Sequence, residues 1–539
     1  MASASSLYGR AGGILAGLSA AAALTVGGCQ KAPSGTDANG TQLASAGAPA
    51  GPGGGGAGCG TAPTLSYTVS MNTGASQADI DCFAWQAFLA LNWTADPNNP
   101  GYPDKSVTAS AFGTPGDTKP AVWETYAEAT AVFGKSLGAW TTKRPAMLTL
   151  SRLSKFGPLD LSDIVQAGKG DHWVTNQRGD LTFYELLMNK DEYEFITKQP
   201  KFDLTTAAGQ LACAQQPGKV ISDGPPSPTP PKGPLRGGLV MPEGVANGWR
   251  DSDCEGNPRN FGDGVGAMEI KASWTPLPAD HSLDYRYKTA QATIVDPVTK
   301  KTKSVTVGLV GLHIAWKRFG RHQWTWATFE QVDNTPDEGG PNGWTAPNLP
   351  ANANRKPAPG FTYFNPKCDK NADKYYHCVH NAPPTPCPPQ PGGTCQPYNA
   401  PMQITRLRPV DATANQVNGY VWGLLPAKSV FNYYRLIDVQ WPQKPQLLPP
   451  GQKTPLPKGD QIPVGGPNNP AQTVSNATLE TFQQNKAACM DCHVFAPIAS
   501  AKTLQATAPG GLKRLTKADI TAQPYASDYS FLFIAETKK

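Results

Sequence analysis

Apolar and polar residues recur along this chain with two different periods. In residues 77–93 the apolar side chains fall at 80, 83, 84, 87, 88 and 91, the spacing of one helix face, and Asp79 marks the start. Shorter segments near 121–133 and 182–196 read as two further helices. From residue 268 the period changes to two. Residues 268–274 alternate apolar and polar, and 285–295 is strand-like and ends on a turn at Asp296-Pro297. Residues 305–316 are rich in β-branched residues and glycine, and 322–332 alternates through Trp324, Trp326 and Thr328. Together these predict an antiparallel meander of about four strands. Residues 432–441 add a strand or a short helix, and proline-rich spans at 223–235, 383–393 and 442–470 read as long loops. The last loop leads into a segment with Leu479, Phe482, the stem of Lys486 and Cys489 on one helical face, and Asn476 as its N-cap. The expected fold class is α+β. An antiparallel β-rich body with short helices and long Gly/Pro loops occupies 64–440, and a helical C-terminal segment occupies 441–539.

Composition sharpens this picture. With 55 Gly, 53 Pro and only 16% charged residues in 539, a coiled coil or helical bundle is disfavoured. The net charge of +6 is spread without a basic block, so nucleic acid is not an expected partner. Residues 1–28 carry one charge, Arg10, and an apolar run from 11 to 26. That run is too short and too rich in small residues for a comfortable membrane span, and it reads as an export signal. It ends in Val26-Gly27-Gly28-Cys29, which resembles the cleavage box of bacterial lipoproteins, with Cys29 the lipidated residue. An ordinary signal peptide with Cys29 incidental is the alternative. Residues 29–63, rich in Gly, Ala and Ser, then form a flexible tether. The expected location is the bacterial periplasm, lipid-anchored to a membrane (the outer one among the candidates), or the cell surface.

The chain has 11 cysteines. Setting aside Cys29 and the pair discussed next, eight remain, an even number that suits disulfides in an exported protein. Sequence proximity suggests Cys59–Cys82, Cys213–Cys254 and two bridges within 368–395. A metal cluster of Cys368, His377, Cys378 and His380 is the alternative, although its spacing fits zinc poorly.

Cys489-Met490-Asp491-Cys492-His493 is a C-x-x-C-H sequence, the attachment signature of one covalent c-type haem. On a helix, cysteines at i and i+3 share a face and reach the two vinyl groups of one porphyrin. The histidine that follows offers its imidazole to the iron as an axial ligand. Composition alone predicts about 0.003 such sequences in a chain of this length. The alternative, a thioredoxin-like C-x-x-C, would sit near a βαβ pattern, and none is visible. Neither Met nor His follows His493. A sixth iron ligand would therefore come from upstream, among Met71, Met147, Met188, Met241, Met268, Met402, His172, His281, His313, His322, His377 and His380, or the position is open. His313, flanked by apolar strand residues, is a weak candidate for a distal ligand or acid–base group. The plain alternative is a core histidine. Glu269, Lys271, Glu330 and Asp333 could line a cleft, although charges on a strand face are usually solvated. Trp324 and Trp326 read as core, with a sugar platform or an electron relay as alternatives.

The chain resembles large bacterial monohaem proteins of the cytochrome c family, periplasmic lipoproteins with a C-terminal C-x-x-C-H. The stretches that carry the resemblance are 307–314, 323–333, 479–482 leading into the motif at 489–493, and 527–533. The resemblance implies covalent haem c on Cys489 and Cys492, His493 on the iron, and no named substrate. The expected function is electron transfer to or from a redox partner protein in the cell envelope. Two alternatives remain open: a peroxidase-like oxidoreductase with an open distal iron site, and a binding protein, for carbohydrate as one case, in which haem is accessory.

Overall fold

The computed structural model describes residues 58–70, 74, 76–134, 140, 147–151, 160–161, 173–216, 238–245, 250–296, 300–319, 321–337, 360–368, 378–382, 400–444, 460–462, 474–485, 488–493, 496–499, 514–515 and 525–536. Its centre is a nine-stranded sheet: β1 (Ala127–Glu128), β2 (Leu148–Leu150), β3 (Phe183–Met188), β4 (Met268–Pro276), β5 (Thr289–Val295), β6 (Thr302–Arg318), β7 (Arg321–Gln331), β8 (Tyr434–Lys444) and β9 (Asp460–Ile462). The spatial order is β9-β8-β7-β6-β4-β3-β1, with β5 on β6 and β2 on β5. Every pairing is antiparallel except β2 with β5. With a few short helices around it, the fold is α+β.

The four strands expected from the alternation are present, but not as a simple meander. Strand β4 pairs with β6, not with β5. The reason is the 17-residue length of β6. Residues 302–308 hold β5, residues 311–318 hold β7 along the same edge, and β4 takes the other edge.

The expected helix at 182–196 is half strand. Phe183–Met188 pairs with β4, and helix α2 (Lys190–Thr197) begins only after Asn189 caps it by accepting the Glu192 N–H. Pairing with the sheet overrides the helical spacing there. The expected helix at 121–133 is a 3-10 turn (Trp123–Thr125), strand β1 and one helical turn (Ala129–Val132). Helix α1 (Gln77–Leu91) ends two residues before the expected 93, its cap is Ser76, and Asp79 is the third residue of a capping box.

One face of the sheet is apolar. Ile270, Ala272, Trp274, Leu312, Ile314, Ala327 and Phe329 are buried against α1 and α3 (Ala412–Leu424). Phe88 stacks on Phe329 at 4.3 Å between centroids, and the Trp85 indole donates to Asn418 at 2.8 Å. Residues 56–539 form one contact unit: β8 runs through the expected boundary at 440/441, and later residues enter the same core. The expected tether also stops short of residue 63. Cys59 is bonded to Cys82, and Gly60 N–H donates to Asp79.

Among the described residues three disulfides are present: Cys59–Cys82, Cys213–Cys254 and Cys368–Cys378. The third corrects the metal-cluster alternative, because two of its four ligands are bonded to each other. Cys29, Cys387, Cys395 and His377 lie outside the described residues. Among the described residues no helix is long and apolar enough to cross a membrane.

Candidate functional site

The second face of the sheet is polar, and it is buried. Register places Glu269 of β4 opposite Ala315, and Lys271 opposite His313; on β7, Trp326 faces Ala315 and Thr328 faces His313. These positions alternate with the apolar ones, so all point away from α1 and α3. The period-two pattern suggested a solvated face. Instead Glu269, Lys271, His313, Thr328 and Glu330 are all buried. Asp333, just past β7, is also buried and pairs with Arg286.

The cover is the C-terminal segment, through its described residues 474–485, 488–493, 496–499 and 525–534. Thr478 bonds Ser273 at 2.8 Å, Asn476 donates to Thr328 at 3.0 Å, and Ala477 N–H donates to Glu330 at 2.5 Å. Arg406 pairs with the same Glu330. Glu480 reaches His313 Nε2 at 3.2 Å, and Met490 N–H donates to Gln440 at 2.9 Å. Gly311 makes this approach feasible, since a Cβ there would lie 2.4 Å from Thr478 Oγ1 and 2.6 Å from Ser273 Oγ. The expected long helix from Asn476 to Cys489 is absent: residues 476–485 form turns whose polar groups bond the strands instead. Asn476 caps a turn rather than the expected long helix, accepting the Thr478 N–H on Oδ1 at 2.9 Å, while its Nδ2 clamps β7.

Helix α4 (Cys489–His493) carries the C-x-x-C-H sequence and is one turn long. Met490 and His493 are buried, and Cys489 is half-buried with its thiol 3.9 Å from Val474 O. The side chains of Asp491 and Cys492 lie outside the described residues. The His493 ring is held on three sides. Trp326 lies 4.1 Å away between centroids and Phe531 5.2 Å away, while Nδ1 is 2.7 Å from Tyr529 O. A carbonyl only accepts, so the ring proton sits on Nδ1 and the lone pair on Nε2.

The backbone that aims this carbonyl is strained. Asp528 and Tyr529 have φ of 56° and 69°, two consecutive left-handed residues that are not glycine. Each costs on the order of 1–3 kcal/mol and persists only where its surroundings hold it. Here the Asp528 carboxylate pairs with buried Lys317 and accepts from Met241 N–H, and its carbonyl accepts the Trp324 indole at 2.9 Å.

The donor set fits a c-type haem at two points. His493 has the tautomer and the outer-sphere carbonyl typical of an iron-ligating histidine. Among the described residues the buried Trp326 indole N–H beside it has no hydrogen-bond partner, which suits an acceptor such as a haem propionate.

Next to this cluster lies a buried acid pair. Glu192 of α2 is fully buried, and among the described residues neither of its carboxyl oxygens has a hydrogen-bond partner. Burial pushes its pKa well up; the like charge of Glu269 adds to this, and Lys271 opposes it. Glu269 is raised chiefly by burial, against the pull of Lys271 and a hydrogen bond from Ser530. Asp81 of α1 and Asp438 of β8 are also raised by burial. A raised folded value means the native state holds protons that the unfolded chain releases. This stabilisation is complete below the unfolded values of 4.5 for Glu and 3.8 for Asp, and is lost as pH rises through the folded values. The melting temperature is therefore expected to fall as pH is raised from about 4 into the neutral range. Glu192→Gln should flatten the fall, and a melting temperature that climbs over the same range in wild type would contradict the assignment.

Of the residues singled out in the sequence, the structure brings together Cys489, His493, Trp324, Trp326, Met188 and Met241 in one cluster. It places Met268 in the other core and seats His313 against Glu480. Met71 and His172 lie outside the described residues. Glu192, Lys317, Asp528 and Tyr529 escaped the sequence reading as site residues, since nothing local marks a carboxylate or lysine as one that will be buried. No family model, curated protein or solved structure matches the chain.

Proposed function

We propose that this chain is an exported c-type cytochrome that carries one covalent haem on Cys489 and Cys492, with His493 on the iron, and passes single electrons to or from a redox partner protein in the cell envelope. The observation that carries this reading is the C-x-x-C-H turn seated on a buried sheet face, with His493 Nδ1 on the Tyr529 carbonyl. The haem supplies a one-electron ferric–ferrous couple. The chain's own residues orient the axial imidazole, wall it with Trp326 and Phe531, and keep water from it. Tethering through a lipid on Cys29 belongs to the same proposal and rests on the residues 26–29 alone.

The test is to produce the full chain in a bacterium that matures c-type haem and to record haem staining on a denaturing gel together with ferric and ferrous spectra. A stained band with a six-coordinate low-spin spectrum is the expected result. A band without stain overturns the reading. A high-spin ferric spectrum with rapid cyanide or peroxide binding overturns the carrier role in favour of the peroxidase-like one.

A further inference from the structure

The Glu192–Glu269 pair is used by nothing described so far, and its position is informative. Glu269 accepts a hydrogen bond from Ser530 Oγ. Ser530 follows Tyr529, whose carbonyl holds His493 Nδ1. The pair is thus joined to the axial imidazole by one short loop within a layer closed to solvent. Glu192 lies at the first turn of α2, fixed because its N–H donates to Asn189, whose Oδ1 also accepts Met268 N–H beside Glu269. Two carboxyls and one ammonium, Lys271, share this layer. With both acids ionised the trio carries net charge −1, and with one protonated it is neutral. An extra negative charge at His493 is poorly screened in such a medium and is most simply offset by a proton.

Building on the haem reading, we propose that Glu192 and Glu269 form a shared proton site that takes up one proton when the iron at His493 takes up one electron. The step balances. A one-electron donor protein reduces ferric to ferrous iron, and a hydronium ion gives one proton to the pair, so one O–H bond breaks on the hydronium as one forms on a carboxylate and water is left. Oxidation reverses both transfers.

The other charged groups around the pair are already engaged. On α2, Asp191 accepts the N–H groups of Asp263, Val265 and Gly266, Glu194 takes Lys198 and Gly262 N–H, and Lys190 takes Asp263. On β6, His313 lies opposite Lys271 and is paired with Glu480, and Lys317 is paired with Asp528. From the C-terminal segment, Ser530 is the group that reaches Glu269. Among the described residues Glu192 has no hydrogen bond on either carboxyl oxygen.

The experiment is a redox titration of the haem-loaded full chain across the neutral range. One proton per electron makes the reduction equilibrium constant fall tenfold per pH unit, about 59 mV. Glu192→Gln and Glu269→Gln are expected to remove most of that dependence, and His313→Gln to leave it. A second readout needs no variant: the reduced-minus-oxidised infrared difference spectrum of wild type should gain a protonated-carboxyl band that shifts in heavy water. Haem-loaded protein with a flat titration, an unchanged slope in both Glu variants, or no such band overturns this proposal and leaves the cytochrome reading intact. A chain that carries no covalent haem overturns both.

Discussion

Replacing Cys489 and Cys492 together with alanine is expected to give a chain that folds but carries no covalent haem. Haem staining on a denaturing gel should fall from full intensity to none, while far-ultraviolet circular dichroism of the double variant should keep its strand signal. The physical basis is that each thioether forms by addition of one thiol across one vinyl group, and two thiols three residues apart on a helical turn reach both vinyls of one porphyrin. Neither cysteine belongs to the three disulfides that staple the body, so removing them leaves those bridges untouched. Each single variant retains one thiol and is expected to load less haem than wild type. His493→Ala provides the contrast. It keeps both thiols, so a residual covalent adduct with an altered spectrum separates attachment from ligation. Full staining of the double variant would show that haem, if bound, is held elsewhere.

The proposed chemistry of this site rests on a local sequence signal, since five residues, Cys489 to His493, carry the whole C-x-x-C-H pattern. The strands were legible as well, since their period-two alternation survives in β4, β6 and β7. The disposition of the polar face was not. Alternation says that Glu269, Lys271, His313 and Glu330 share a side of the sheet, but it cannot say that residues 147 to 261 positions further along will cover that side. The covering segment hides its role for the same reason. Asn476, Thr478 and Glu480 look like the start of a helix, and what decides their conformation is bonding to Thr328, Ser273 and His313 across the fold. Helix α2 shows the converse. Its residues have helical spacing back to 182, but an unpaired edge of β4 recruits the first six as strand. In each case a long-range hydrogen-bonding partner outweighs a weak local preference.

Lys317→Met is expected to cost about 3–5 kcal/mol of unfolding free energy, because it strands the Asp528 carboxylate in a fully buried position. Urea unfolding of the purified chain measures this directly. The double variant Lys317→Met/Asp528→Asn removes both charges and should recover a large part of the loss; no recovery would mean that the pair itself is not the source. The same substitution tests how the site is held. Asp528 and Tyr529 keep left-handed backbone only because Lys317, Met241 N–H and Trp324 fasten the loop, and that conformation is what presents the Tyr529 carbonyl to His493 Nδ1. Releasing Lys317 lets the strained residues relax, which weakens the hydrogen bond that makes the imidazole more basic. In haem-loaded protein the reduction potential should then rise, as a less basic axial ligand stabilises the ferric state less. An unchanged potential in a destabilised variant would confine Lys317 to a purely structural role. On the proposed haem reading, the clamp on the sheet and the tuning of His493 would be one device, fastened by a single buried lysine with no sequence signature of its own.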